Sequence, residues 1–160
     1  MPATEEEIIA ACEDALRLAP TEYPPTLSPA KELFGAPDWY PFEHQAWRIG
    51  ESITQALARD PRLRKREPIL SKVAEVATCK NLRRGRQSFV MVLGFVSARH
   101  YAERLAGFLG DPDVDGQVLH TLIKMRASGY TREAELLLFS EKTWIRRLAT
   151  RYLDRYSTPR

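Results

Sequence analysis

The sequence predicts an all-α fold, with helical hairpins stacked in file within a single domain, 1–160. Apolar residues recur three and four positions apart along most of the chain, the spacing of one helical face. That face returns at a shift of about 30 residues, and such self-similarity marks stacked hairpins. A third sign is SFVMVLGFV (88–96), apolar at nearly every position and so suited to a helix buried all round in the middle of a stack. With 160 residues, 44% hydrophobic and 28% charged, the chain has the size and balance of one globular domain.

Taken in order, TEEEIIAACEDALRLA (4–19) opens with Thr4 and, three residues on, Glu7, the pair that forms a capping box. Ile8, Cys12, Ala15 and Leu16 make its buried stripe. The proline-rich stretch 21–41 follows, long enough to wrap the surface or cover the open end of a stack, with one short helical turn expected at 29–34. Phe42, Ala46, Ile49, Ile53 and Leu57 mark a second helix, which Asp60-Pro61 ends. Three units then occupy roughly 68–97, 100–126 and 131–156, each a helix, a short connection and a second helix. A shift of 31 carries Val114, Val118, Leu122 and Met125 onto Ile145, Ala149, Leu153 and Tyr156, and Leu105 and Phe108 onto Leu136 and Phe139. A backward shift of 29 gives Gly85, Phe89, Leu93 and Val96, with Val76 and Cys79 ahead of them. Gly94, inside the apolar run, is expected to admit a neighbouring helix.

DPDVDG (111–116) has the order that opens an EF-hand calcium loop, but the chemistry fails further on. Calcium needs a bidentate carboxylate at the twelfth position, and that residue is Leu122. Pro112 also restricts the backbone where such a loop must curl. The apolar face Val114, Val118, Leu122, Met125 starts inside the supposed loop. The expectation is therefore a helix start, capped by Asp111 or Asp113, with acidic groups complementing the dipole.

Catalytic signatures are scarce. His44, His100 and His120 share no helix at metal-ligand spacing, and no nucleotide-binding, hydrolase or Cys-x-x-Cys motif occurs. A non-enzyme with no metal and no cofactor is expected. His44 sits among Trp39, Tyr40, Phe42 and Trp47, a core or a pocket, while His120 should point away from the buried stripe. Cys12 and Cys79 read as free thiols in apolar helices, compatible with a reducing compartment. The acidic start and the lack of an apolar run of roughly 18 residues predict a cytoplasmic location with no membrane partner.

The net charge of +3 conceals an asymmetry. Residues 1–60 hold 4 Lys/Arg against 11 Asp/Glu, and residues 61–160 hold 20 against 10. Residues 61–86 alone carry nine cations against two carboxylates. Arg62, Arg64, Lys65, Arg66, Arg83, Arg84 and Arg86 are accordingly candidate phosphate or anion contacts. Arg147, Arg151 and Arg155 recur every four residues and should form one exposed ridge, with Trp144 beside it.

The last unit also carries a resemblance. IRRLATRYLDRY (145–156) resembles the second helix of a HEAT repeat, V-R-x-x-A-x-x-A-L-x-x-L after an aspartate-containing turn, with Ile145, Arg146, Ala149, Leu153 and Tyr156 in the consensus places. VDGQVLHTLIKM fits the apolar places but has Asp115 where the arginine belongs, and the first unit has Arg86 but Gly85 in the valine place. The resemblance spans about 90 of 160 residues. It implies a HEAT-like right-handed α-α superhelix with an atypical N-terminal helical cap. Compact chains of this kind resemble bacterial immunity proteins that block a toxin, or adaptors. By that resemblance a partner protein, an acidic surface or a toxin domain, would meet the outer residues of the second helices: Gln117, His120, Lys124, Arg147, Arg151 and Arg155. Other HEAT-like folds resemble DNA glycosylases that cradle a duplex, so DNA or RNA binding through the basic surface is the alternative.

Overall fold

The structure, a computed structural model, describes residues 4–21 and 39–157. Eight α-helices and no β-strand lie among them: α1 (Glu5–Arg17), α2 (Pro41–Arg59), α3 (Glu67–Ala77), α4 (Gln87–Val92), α5 (Ala102–Ala106), α6 (Asp115–Met125), α7 (Thr131–Leu137) and α8 (Thr143–Tyr156). Short 3₁₀ helices, Pro61–Lys65, Lys80–Arg86 and Val96–Tyr101, link or extend them. The turn expected at 29–34 lies outside the described residues.

Local chemistry sets the helix ends. Thr4 Oγ1 accepts from the Glu7 N–H at 3.1 Å and Glu7 Oε2 from the Thr4 N–H at 3.1 Å, so the capping box forms as read. At the start of α2, Glu43 Oε1 accepts from the Tyr40 N–H at 2.9 Å and Pro41 occupies the first turn, where its missing N–H costs nothing. The helix stops at Asp60, ahead of Pro61.

Packing follows two rows. The first helix of each pair touches the second, α1 on α2, α3 on α4, α5 on α6 and α7 on α8, while α2, α4, α6 and α8 also touch one another in succession. In the other row α1 lies on α3. One buried cluster takes residues from all eight helices, including Ile8, Phe42, Ile69, Phe89, Leu105, Leu122, Ala134 and Ala149. Cys12 belongs to it, and burial pushes its thiol up to about 12. Helices α1 and α2 are thus a further helical pair packed on the next one.

Three expectations are corrected. The apolar run 88–96 is not one helix buried all round. It stops at Val92, and Met91 and Val96 are 36% and 46% exposed, because Met91 faces a groove and Val96 begins a separate 3₁₀ helix. Gly94 does admit a neighbour, since a Cβ there would lie 3.2 Å from Lys124 Cδ of α6. Secondly, the 31-residue shift holds for the second helices but not the first. Ala134 and Leu137 are buried as Ala102 and Leu105 are, whereas Leu136 and Phe139 are 70% and 85% exposed. The path from Leu137 to Ile145 is one residue shorter than that from Leu105 to Val114, which moves the register by one. Thirdly, neither Asp111 nor Asp113 caps α6. The cap position is Val114, with no side-chain cap bond, and the two aspartates are engaged elsewhere.

Tyr152 fixes the last pair. Fully buried on α8, its hydroxyl donates to the Ala127 carbonyl at 2.7 Å and accepts from the Tyr130 N–H at 3.1 Å, tying α8 to the segment between α6 and α7. Burial pushes its phenol up to about 12. Tyr152→Phe would leave a buried carbonyl and an N–H unsatisfied, so a loss of about 1–3 kcal/mol is expected from urea denaturation. An unchanged midpoint would show that the pin carries no stability.

Candidate functional site

The row of second helices builds a groove of about 310 Å³. Trp47 and Glu51 come from α2, Gln87, Ser88 and Met91 from α4, Gln117 and His120 from α6, and Trp144 from α8. Trp47/Glu51 and Gln87/Met91 are four apart and Gln117/His120 three apart, so each helix lends one face to the same hollow. Trp144 is 43% exposed and its indole lies over Gly116, where any Cβ would collide with the ring. Close helix approach and aromatic wall are therefore one feature. Ser88 Oγ, packed against Gly50, is buried without a hydrogen-bond partner among the described residues.

Of the residues expected to meet a partner, Gln117 and His120 line this groove, and Lys124 and Arg151 stand close enough to act on His120. Arg147, Arg151 and Arg155 are exposed along α8, as the four-residue spacing required. Arg151 and Arg155 also border a second hollow of about 310 Å³ with Ile123 and Asp154. Glu51 and Gln87 escaped the sequence reading, while Trp47 was placed with His44 and Met91 in a run expected to be buried all round. Their signal was available as four-residue pairs beside the buried stripes of α2 and α4, but nothing in the sequence says that those faces converge. His44 lies elsewhere, 5% exposed, its ring 4.9 Å from that of Trp39.

The basic segment divides between surface and interior. Arg62 pairs with Asp60 at 2.9 Å and Arg66 with Glu5, both on the surface. Arg64 donates to the Leu57 carbonyl at 3.2 Å and lies over Phe95. Glu43, fully buried, is the larger sink. Its Oε2 accepts from the Arg84 N–H at 2.9 Å and from Arg84 Nε at 3.2 Å, and Arg83 Nε is 4.0 Å from Oε1. Arg84 and Arg83 also stack over Trp39 and Tyr40, each 5.2 Å from the ring centre. A Cβ at Gly85 would come within 2.9 Å of the Glu43 carbonyl oxygen, so only glycine lets this segment lie so near α2. Arg86 is buried, which corrects its place among surface phosphate contacts. Exposed pairs such as Arg62–Asp60 are worth little and leave their arginines within reach of a partner, as is Lys65.

Arg86 also explains DPDVDG. Its Nη2 donates to Asp111 Oδ2 at 2.8 Å and lies 3.8 Å from Asp113 Oδ2, while Nε donates to the Arg83 carbonyl at 2.8 Å. Asp111 Oδ1 accepts from the Asp113 N–H at 2.9 Å, closing a local turn. The acidic motif houses an arginine. Burial, and next the charge of Asp111, hold the Asp113 carboxyl above its usual range. Among the described residues no three His, Cys, Asp or Glu side chains converge as metal ligands would, and no helix is long and apolar enough to cross a membrane.

No protein-family model matches the chain, and no curated protein or solved structure matches it either.

His120 gives the groove a measurable property. Burial first, then the charges of Lys124 on α6 and Arg151 on α8, lower its pKa below the ordinary 6.5. A base with a depressed folded pKa binds fewer protons folded than unfolded, so its contribution to stability falls as pH drops through 6.5 toward the folded value. An NMR titration of His120 should show a midpoint below 6.5, and His120→Gln should flatten the stability loss in that window. A midpoint above 6.5 would mean that Glu51, across the groove, outweighs both cations.

Proposed function

We propose that this protein is a non-catalytic helical-repeat module that binds a partner protein in the groove across α2, α4, α6 and α8. The observation that carries the reading is the groove's make-up. Two tryptophans and a partly exposed methionine sit among Gln87, Gln117, His120 and Glu51, the mixture of aromatic anchors and hydrogen-bonding groups that concentrates binding energy in protein interfaces. Arg151 and Arg155 extend one side, so the partner is an acidic surface with an apolar side chain to insert between the indoles. The HEAT-like sequence of α8 and the successive stacking of second helices support a superhelical scaffold of that family's kind, and an immunity-type toxin inhibitor or an adaptor is the role that suits it.

A nucleic acid is the second reading, favoured by one observation, the three exposed arginines in line on α8. The sharing of Glu43 by Arg83 and Arg84 and the pairing of buried Arg86 with Asp111 weaken it, because those cations are only partly available to a phosphate. Affinity purification of the tagged protein with nuclease, compared with the triple variant Arg147→Glu, Arg151→Glu, Arg155→Glu and with Trp144→Ala, separates the two. Protein binding predicts a stoichiometric partner that survives nuclease and is weakened about tenfold or more by either variant, as for loss of an interface anchor. Nucleic-acid binding predicts a ligand removed by nuclease, with affinity falling against log salt at a slope of about −2.7 for three phosphates. Capture unaffected by both variants would place the interface elsewhere.

A further inference from the structure

A third hollow, of about 480 Å³, lies where the connection from α3 to α4 meets the connection from α5 to α6. Lys80, Arg83 and Arg86 line it from one side, and Phe108, Asp111 and Asp113 from the other. Arg86 is its unusual member. The side chain is 1% exposed, and two of its three guanidinium nitrogens have acceptors, Nε in the Arg83 carbonyl and Nη2 in Asp111. Nη1 is buried with no hydrogen-bond partner among the described residues. Leaving a charged donor both dry and unsatisfied is costly, and native proteins usually meet such a group with an ordered water, an ion or a ligand.

The backbone shows how the guanidinium is held. Arg83 sits at φ 53°, ψ −129°, a conformation that a residue with a Cβ adopts only when its surroundings impose it. The carbonyl of this strained residue is the acceptor that anchors Arg86 Nε, so the strain serves to aim the guanidinium. Phe108 backs it, with the ring centre 5.4 Å from the guanidinium carbon.

We propose that this cavity binds a small oxyanion, the phosphate or carboxylate group of a small molecule, with Arg86 Nη1 as its buried donor and Lys80 as the cation at its mouth. Arg83 acts as a positioning residue, through its backbone. The carboxylates oppose this only in part. Asp111 is paired with Arg86, and Asp113 lies 3.8 Å from the same guanidinium, so each faces a cation as well as the cavity. The site is separate from the groove, and either can fail without the other.

The test is an amide NMR titration of the full chain with inorganic phosphate, and separately with acetate, at ionic strength held constant with chloride. Saturable one-to-one shifts within 80–86 and 107–113, with a Kd of about 1 mM or tighter, are expected. Arg86 variants risk unfolding, so two safer substitutions are used. Lys80→Gln removes an exposed rim cation and should weaken binding several-fold. Gly110→Glu sets a carboxylate in the wall at a position where a Cβ meets nothing within 4 Å, and should abolish binding while the remaining spectrum is unchanged. Phosphate binding alone would assign a phosphorylated ligand, and binding of acetate as well would admit carboxylates. Failure of both anions to saturate, binding undiminished in Gly110→Glu, or shifts confined to the α8 ridge would overturn the proposal.

Discussion

An arginine sealed from water keeps its charge, so everything around it must be arranged to satisfy it. Arg86 is that residue here, and its demands reach both ways along the stack. Through Asp111 and Asp113 it fixes the loop before α6, and through the Arg83 carbonyl it fixes the segment 80–86. Two residues earlier, Arg84 holds buried Glu43 and with it the first turn of α2. The segment KNLRRGR therefore ties α2 and the α5–α6 connection to α4 with buried ion pairs, and the row of second helices depends on that anchoring. The groove is a consequence of the row.

This arrangement also decides how the charge of the chain is to be read. Nine cations in 26 residues look like a phosphate-binding surface. Placed in the fold, Arg86 is buried on Asp111 and Arg83 and Arg84 are half-buried beside Glu43, while Arg66 pairs with Glu5 at the surface and Arg62, Lys65 and Lys80 stay exposed. Part of the acidic N-terminal third and part of the basic middle are complementary components of one structure. Further exposed cations stand on α8, where Arg147, Arg151 and Arg155 lie in line along the helix that also carries Trp144.

Helices were the legible part of the sequence. Three- and four-residue spacing identified the helical segments, and the Thr4/Glu7 pair gave a true cap. Boundaries and register were less legible because they follow from tertiary fit. The Leu136/Leu137 shift depends on a connection one residue shorter, and the helix through the apolar run stops at Val92, short of the run's own end. The site was half legible. Gln117, His120 and the α8 arginines follow from helical phase, but the convergence of Trp47, Met91 and Trp144 requires four helices to be stacked at known angles. DPDVDG shows the limit most clearly. Local reading made it a helix cap, and only the position of an arginine 25 residues away reveals its use.

A double-mutant cycle on Arg86 and Asp111, read by urea denaturation, tests this account most directly. Arg86→Met and Asp111→Asn each strand a buried partner, whereas the double variant strands less, so a coupling energy of about 2 kcal/mol is predicted, with the double variant rescuing whichever single variant is the more damaged. Additivity within about 0.5 kcal/mol would contradict it, and would mean that the pair fills space without organising the fold.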